Sequence, residues 1–108
     1  MSGISALDEF EGSLAGDAPP PLGDALGALW WAAKGDWKLG TEWSRAHELA
    51  QAEESRTGAW VHAHLHRIEG DLDNAGYWYR QARQPASSDG LRDEWRAISA
   101  ALLERRTA

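Results

Sequence analysis

The chain has 108 residues, of which 43% are hydrophobic and 26% charged, and it contains no cysteine. This length suits one domain, and the lack of cysteine excludes disulfides, a thiolate nucleophile and cysteine-type zinc sites. The formal net charge is −6, so the basic field of a nucleic-acid-binding protein is missing. No apolar run reaches the roughly 20 residues of a membrane span, and no secretory signal is recognisable, so we expect a cytoplasmic protein.

Acidic residues are concentrated near the N-terminus, where the first 36 residues carry six acidic side chains and one basic side chain. Three consecutive prolines at 19–21 predict a stiff linker, which divides the chain into a leader (1–21) and a single helical domain (22–108). The leader has two interpretations. One is a solvated acidic segment, which its charge favours. The other is an amphipathic segment that docks on the body or on a partner through Ile4, Leu7, Phe10 and Leu14, which lie near helical spacing.

The body is predicted to contain about five helices, separated by glycine, serine and proline. The predicted spans are 25–34, 42–54, 59–69, 72–84 and 91–103. Gly35 is expected to form a left-handed cap after the first helix, and Thr41 to cap the start of the second. No segment alternates apolar and polar residues with enrichment in β-branched types, so the predicted fold class is all-α.

Two glycine–aspartate pairs, Gly35-Asp36 and Gly70-Asp71, lie 35 residues apart, and each follows an apolar helix. This period is typical of helix-turn-helix repeats. In the second unit the characteristic positions are occupied by Trp60, Ala63, Ala75, Tyr79, Ala82 and Pro85. The unit resembles a degenerate tetratricopeptide repeat, although Arg67 stands where that pattern has an aromatic residue and Gly76 lies inside a helix. The resemblance implies antiparallel helical hairpins, with the last helix covering their open end.

The stretch 62–71, together with Asn74-Ala75 and Tyr77–Arg80, is also similar to a family of small uncharacterised proteins. That similarity implies no activity.

Three histidines cluster on the third predicted helix. At about 100° per residue, His62, His66 and Glu69 share one stripe, whereas His64 points away, beside Trp60 and Arg67. Two imidazoles one turn apart and a carboxylate form a partial ligand set for a divalent metal such as zinc. The alternative is that these are polar groups hydrogen-bonded to their neighbours and that the protein has no cofactor. His47, on the preceding helix, has no spatial relation to this stripe that the sequence fixes.

Seven tryptophans are the most unusual feature of the composition. Six of them fall near helix-packing positions, which favours a role in the core. Trp31, next to Trp30, and the run Tyr77-Trp78-Tyr79 cover so much of their helices that some rings must be exposed. Exposed aromatic rings near Arg80 suit a protein interface, and they equally suit a small-ligand pocket, ordinary surface or a homodimer contact.

The favoured function is therefore a helical-repeat module that binds a protein or peptide partner. The residues expected to carry this binding are Trp31, His62, His66, Glu69, Tyr77 and Arg80. The alternative is a metal- or small-ligand-binding protein that uses His62, His66 and Glu69. An enzyme is the less favoured interpretation, because the chain has no recognisable nucleophile motif and no glycine-rich phosphate loop, and no catalytic residue is predicted. Homo-oligomerisation is a further expectation for the exposed aromatic surface.

Overall fold

The protein is represented by a computed structural model that describes residues 5–107. These residues contain no strand, which confirms the all-α prediction. The helices are α1 (Ala6–Gly12), α2 (Asp24–Lys34), α3 (Thr41–Ala52), α4 (Arg56–Glu69), α5 (Leu72–Ala82) and α6 (Leu91–Thr107), with a short 3-10 turn at Ser13–Ala15. The count exceeds the predicted five because α1 forms in the leader. None of the described helices combines the length and the apolar character needed to cross a membrane.

The second glycine–aspartate corner forms as its sequence predicts. Gly70 ends α4 with a φ of 85°, in the left-handed region that glycine adopts without strain. Asp71 then caps α5, because its side chain accepts a hydrogen bond from the backbone N–H of Asn74. The start of α4 was placed too late at residue 59. Ser55 accepts from the N–H of Gly58, so the helix begins at Arg56.

The first corner differs from the prediction. Gly35 has a φ of −83° and is not left-handed, whereas Asp36 and Trp37 have φ values of 60° and 52°. The chain therefore reverses one residue later than expected. Thr41 is the first residue of α3 rather than its cap, and Gly40 precedes it. Both glycine–aspartate pairs nevertheless lie between packed helices, α2 with α3 and α4 with α5. Membership of the tetratricopeptide class stays a prediction.

The main core is built around α2, which packs against α3, α4 and α6. Its largest fully buried side chains include Trp30 of α2, Leu65 of α4, and Trp95 and Ile98 of α6. A second, smaller cluster of Ala63, Ala75 and Tyr79 joins α4 to α5, and its two alanines allow the helices to approach closely. Helix α4 therefore has neighbours on several sides, and residues two apart on it face different helices.

The leader packs against the body through α1. Phe10 is 3% exposed and stacks on Trp95, with ring centroids 5.5 Å apart and an interplanar angle of 10°. Glu11 accepts hydrogen bonds from Arg92, at 2.7 Å, and from Arg96, both on α6. Leu7 and Leu14 are partly buried against the same core, whereas Ile4 lies outside the described residues. Of the two interpretations of the leader, the docked amphipathic segment is the one that these contacts match.

Candidate metal centre

Three histidines from two helices meet between α3 and α4. His62 and His66 lie one turn apart on α4, and His47 of α3 faces them. The Nε2 atoms of His62 and His47 are 2.9 Å apart, and one ring nitrogen from each of the three residues lies within 4.8 Å of the others. We call His47, His62 and His66 the histidine triad. In the described part of the chain it is the one group of three or more histidine, cysteine or acidic side chains close enough to share a metal ion.

Glu69 takes a different place from the one its sequence spacing suggested. Its Oε1 atom lies 2.7 Å from Nδ1 of His66. A carboxylate in this position accepts the Nδ1–H proton and leaves the lone pair on Nε2, which is the arrangement that orients metal-binding histidines in many proteins. The predicted stripe of His62, His66 and Glu69 is thus brought together. Glu69, however, lies behind His66, and the third ring nitrogen of the group comes from His47.

Aromatic rings hold the histidine triad in place. Trp43 stacks on His47, with centroids 4.9 Å apart, and Trp78 stacks on His62 at 4.0 Å with an interplanar angle of 3°. The indole N–H of Trp43 donates to the carbonyl oxygen of Leu65 at 2.9 Å, which fixes that ring against α4. The imidazoles are therefore packed into one orientation rather than free to rotate in solvent.

The surroundings keep two of these rings uncharged. Burial, and after it the neighbouring His47 and His66, together lower the pKa of His62 to about 4. Burial and His66 also lower the pKa of His47, although Glu69 and Glu48 partly oppose the shift. Neutral imidazole is the form that binds metal ions. At pH 7 these two rings are already neutral, so neither has to be deprotonated before it can bind a metal ion.

The opposite side of α4 carries a separate buried network centred on Glu94 of α6. Glu94 is 3% exposed. Its carboxylate contacts Nδ1 of His64 at 2.7 Å, accepts from Nη1 of Arg67 at 2.8 Å and also accepts from the hydroxyl of Tyr79. The network joins α4, α5 and α6. His64 does lie with Arg67, as its helical position predicts, but Glu94 and Tyr79 were not foreseen as partners.

The two acidic groups in this network respond to burial differently. Burial by itself raises the pKa of Glu94, but the hydrogen bonds from His64, Tyr79 and Arg67 outweigh burial, and the net shift is downward. Burial, together with the bond to Glu94, raises the pKa of Tyr79. Glu94 is therefore a carboxylate and Tyr79 a neutral phenol at pH 7, and the carboxylate is hydrogen-bonded by three neighbours, whereas Nε2 of His64 is buried without a hydrogen-bond partner.

The remaining predicted binding residues do not join the histidine triad. Trp31 is partly buried on α2, where the guanidinium of Arg45 lies 4.7 Å from its ring centroid, and it lines a cavity of about 580 Å³ beside α3. Tyr77 and Arg80 are exposed on α5. His62 instead lines a cavity of about 500 Å³ to which neither Tyr77 nor Arg80 contributes. The six residues predicted to bind a partner therefore do not line one concavity.

The cavity beside His62 is a groove open to solvent. It lies between the end of α3, the first turns of α4 and the outer side of α5, and its walls include Gln51, Arg56, Trp78 and Gln81. We call it the His62 groove. It is the concavity that adjoins the histidine triad, because His62 belongs to both.

Comparisons with known proteins assign no family to this chain. No family model matches it, and no curated protein and no solved structure is significantly similar to it. Function must therefore be inferred from the side chains themselves.

Proposed function

We propose that this protein binds one divalent transition-metal ion, such as Zn²⁺, through His47, His62 and His66. The observation that carries the proposal is the convergence of three ring nitrogens, from two helices, within 4.8 Å of one another. Imidazole is a good ligand for zinc, nickel, cobalt and copper and a poor one for magnesium and calcium. The chemistry of the histidine triad therefore selects the transition metals.

The distances require an adjustment in both directions, because the closest pair of nitrogens must open and the group as a whole must contract from a spread of up to 4.8 Å. Zinc–nitrogen bonds of about 2.0–2.1 Å at a tetrahedral angle separate two ligand nitrogens by roughly 3.3 Å. The Nε2 atoms of His47 and His62 are 2.9 Å apart, so the pair must open by a few tenths of an ångström. In the metal-free protein, one Nε2 donates its proton to the other. Metal binding moves that proton to Nδ1 of the same ring, which keeps the imidazole neutral.

The electrostatic setting also favours a cation. The chain carries a formal net charge of −6, and Glu69 places a carboxylate directly behind His66. An imidazole that donates to a carboxylate is a more basic ligand, because the negative charge pushes electron density toward the far nitrogen. Because His47 and His62 are already stacked on Trp43 and Trp78, their side chains lose little conformational entropy when the ion binds.

The direct test is metal titration of the untagged chain, since a polyhistidine tag would bind the same ions. Protein stripped with a chelator is titrated with Zn²⁺, Ni²⁺ and Mn²⁺ and followed by calorimetry and thermal unfolding. We expect one ion per chain. At a hundredfold excess over Kd, binding stabilises the fold by about 2.7 kcal/mol. For a chain of this size that corresponds to a rise in Tm on the order of 10 °C. Mn²⁺, the weakest of the three in the usual order, should shift Tm least.

The matched variants are His47→Phe and Ser44→Ala, both on α3. Phenylalanine keeps an aromatic ring against Trp43 but removes the nitrogen, so zinc affinity should fall by more than about 100-fold, beyond the usual effect of outer-sphere partners. Ser44 is exposed and lies outside the group, so its variant should bind like the wild type. Equal zinc affinity in the wild type and His47→Phe would refute the proposal.

Partner binding is the second candidate, and one observation favours it. Tyr77 is 46% exposed on α5, its ring edge-on to Trp78, and Arg80 lies one turn further along the same helix. An aromatic ring and an arginine on one exposed face are typical of interface anchors. The measurement is self-association by sedimentation across a range of protein concentrations, since a second copy is the partner always present. The double variant Tyr77→Ala/Arg80→Ala should remove any dependence of the sedimentation coefficient on protein concentration.

The cytoplasmic location expected from the sequence stays a prediction.

A further inference from the structure

The histidine triad supplies three metal ligands and no more. Within the described residues, no fourth histidine, cysteine or acidic oxygen joins the group. The nearest carboxylate, that of Glu69, is occupied with Nδ1 of His66. That nitrogen lies on the opposite side of the imidazole ring from Nε2, so Glu69 orients the ligand from behind. A four-coordinate ion held by this group would therefore have one position that no histidine, cysteine or acidic side chain of the described residues fills; the neutral amide of Asn74 lies 3.5 Å from Nε2 of His66. Closed structural zinc sites, in contrast, take all four ligands from the protein.

The histidine triad meets a solvent-open groove at His62, whereas His47 and His66 do not line that groove. His62 is a member of the group and at the same time part of the wall of the His62 groove, which has a volume of about 500 Å³. That volume lies in the range of pockets that accept small molecules. The indoles of Trp43 and Trp78 stack on the imidazole rings of His47 and His62 and limit their rotation. The rings therefore cannot easily move to admit a further side-chain ligand.

The charge of the ligand set indicates what the open position binds. Neutral imidazoles cancel none of the double positive charge of the ion, whereas each thiolate or carboxylate ligand would cancel one unit. A metal with only neutral ligands makes its bound water more acidic and attracts anionic ligands strongly. Arg56, which lines the groove, adds a positive charge on the approach, although Glu53 and Glu54 at the same rim oppose it.

We propose that the metal ion at His47, His62 and His66 keeps one exchangeable coordination position open to the His62 groove, and that this position binds small monodentate anions in place of water. This inference rests on the proposed metal-binding function and adds the class of its ligand. The exchange is balanced, because the metal–water bond breaks as the metal–anion bond forms and the water leaves through the groove. No redox change is involved.

The experiment uses the untagged full-length chain loaded with one equivalent of Co²⁺, whose visible absorption reports its coordination. Sodium azide is the probe. We expect a saturable spectral change with one azide per cobalt, while dialysis shows that the cobalt stays bound. The groove is tested with Gln81→Trp, which places a bulky ring in its wall, and Gln81→Ala as the matched control. Azide affinity should fall by about tenfold or more in the first and stay near wild type in the second.

The outcomes separate the two proposals. Failure to bind cobalt at all would overturn the metal-binding function itself. Cobalt that binds but gives a spectrum insensitive to a large excess of azide would overturn only the open position, and so would azide that strips the metal from the protein. Equal azide affinity in Gln81→Trp and Gln81→Ala would overturn the assignment of the position to the His62 groove.

Discussion

Replacing Glu94 with glutamine should strongly destabilise the fold, because it removes the charge at the centre of a buried hydrogen-bond network. The carboxylate is 3% exposed and meets His64 at 2.7 Å, Arg67 at 2.8 Å and the hydroxyl of Tyr79. Glutamine has nearly the same shape but carries no charge, and its amide group presents donors where these neighbours also donate. Arg67, whose side chain is 14% exposed, is then left without a counter-charge.

The magnitude follows from that loss. Removing one partner of a buried ion pair costs about 3–5 kcal/mol, because the remaining charge stays desolvated. The single amide oxygen of glutamine can still accept from one of the three neighbours, so we expect a loss of about 3 kcal/mol. Since domains of this size have unfolding free energies of about 5–15 kcal/mol, this is a substantial fraction of the total.

Urea unfolding followed by tryptophan fluorescence measures the effect, because Trp30 and Trp95 are fully buried and become exposed when the chain unfolds. The urea midpoint should fall with little change in slope, which is the signature of lower stability with the same surface exposed on unfolding. Asp93→Asn is the matched control, since Asp93 is exposed in the first turn of the same helix and contributes only about 0.3–1 kcal/mol through the helix dipole. A Glu94→Gln variant no less stable than Asp93→Asn would refute the reasoning.

Three further predictions concern the site and its surroundings. Gly58→Ala should destabilise the fold by about 1–3 kcal/mol in thermal unfolding, because an added Cβ would lie 1.9 Å from the carbonyl oxygen of Glu53 and the backbone must move. The free energy of unfolding should fall as the pH drops from 6.5 to about 4, since the unfolded chain takes up a proton on His62 that the folded chain refuses. The loss attributable to this residue approaches about 3 kcal/mol at the low end, and His62→Phe should remove that part of the pH dependence. Glu69→Gln should weaken zinc binding by about 10–100-fold in calorimetry while leaving Tm of the metal-free protein nearly unchanged, because the carboxylate orients His66 without being a ligand.

Local patterns were sufficient to predict the five helices of the body, although not the exact start of α4. The end of one helix at Gly70-Asp71 and the start of the next are decided by residues within one or two turns, and α4 and α5 do meet at that corner. The first corner was less predictable. Gly35 has the residue type that suits a left-handed cap, but the reversal occurs at Asp36 and Trp37.

The candidate site could be only half predicted, for a physical reason. His62 and His66 lie on one helix, so their common stripe follows from helical geometry alone. His47 lies 15 residues away, and its position depends on how α3 packs against α4. One signal in the sequence could have indicated the role of His47. It lies one turn after Trp43 and next to the buried Ala46, so it is near the side of α3 that packs against other helices. The partner of His64 was harder still to predict from the sequence, since Glu94 lies 30 residues away along the chain.

Helix α4 owes its two chemistries to the spacing of its histidines. Residues four apart share a face, so His62 and His66 both turn toward α3, where burial and the neighbouring imidazoles lower the pKa of His62 and keep that ring neutral and available as a ligand. His64, two residues from each, turns toward α6 and meets Glu94 in a dry interior. The same side chain thus serves as a candidate metal ligand on one face and as part of a structural hydrogen-bond network on the other. What decides between the two is the neighbouring helix: α3 contributes another imidazole, whereas α6 contributes a buried carboxylate that is already shared with Arg67 and Tyr79.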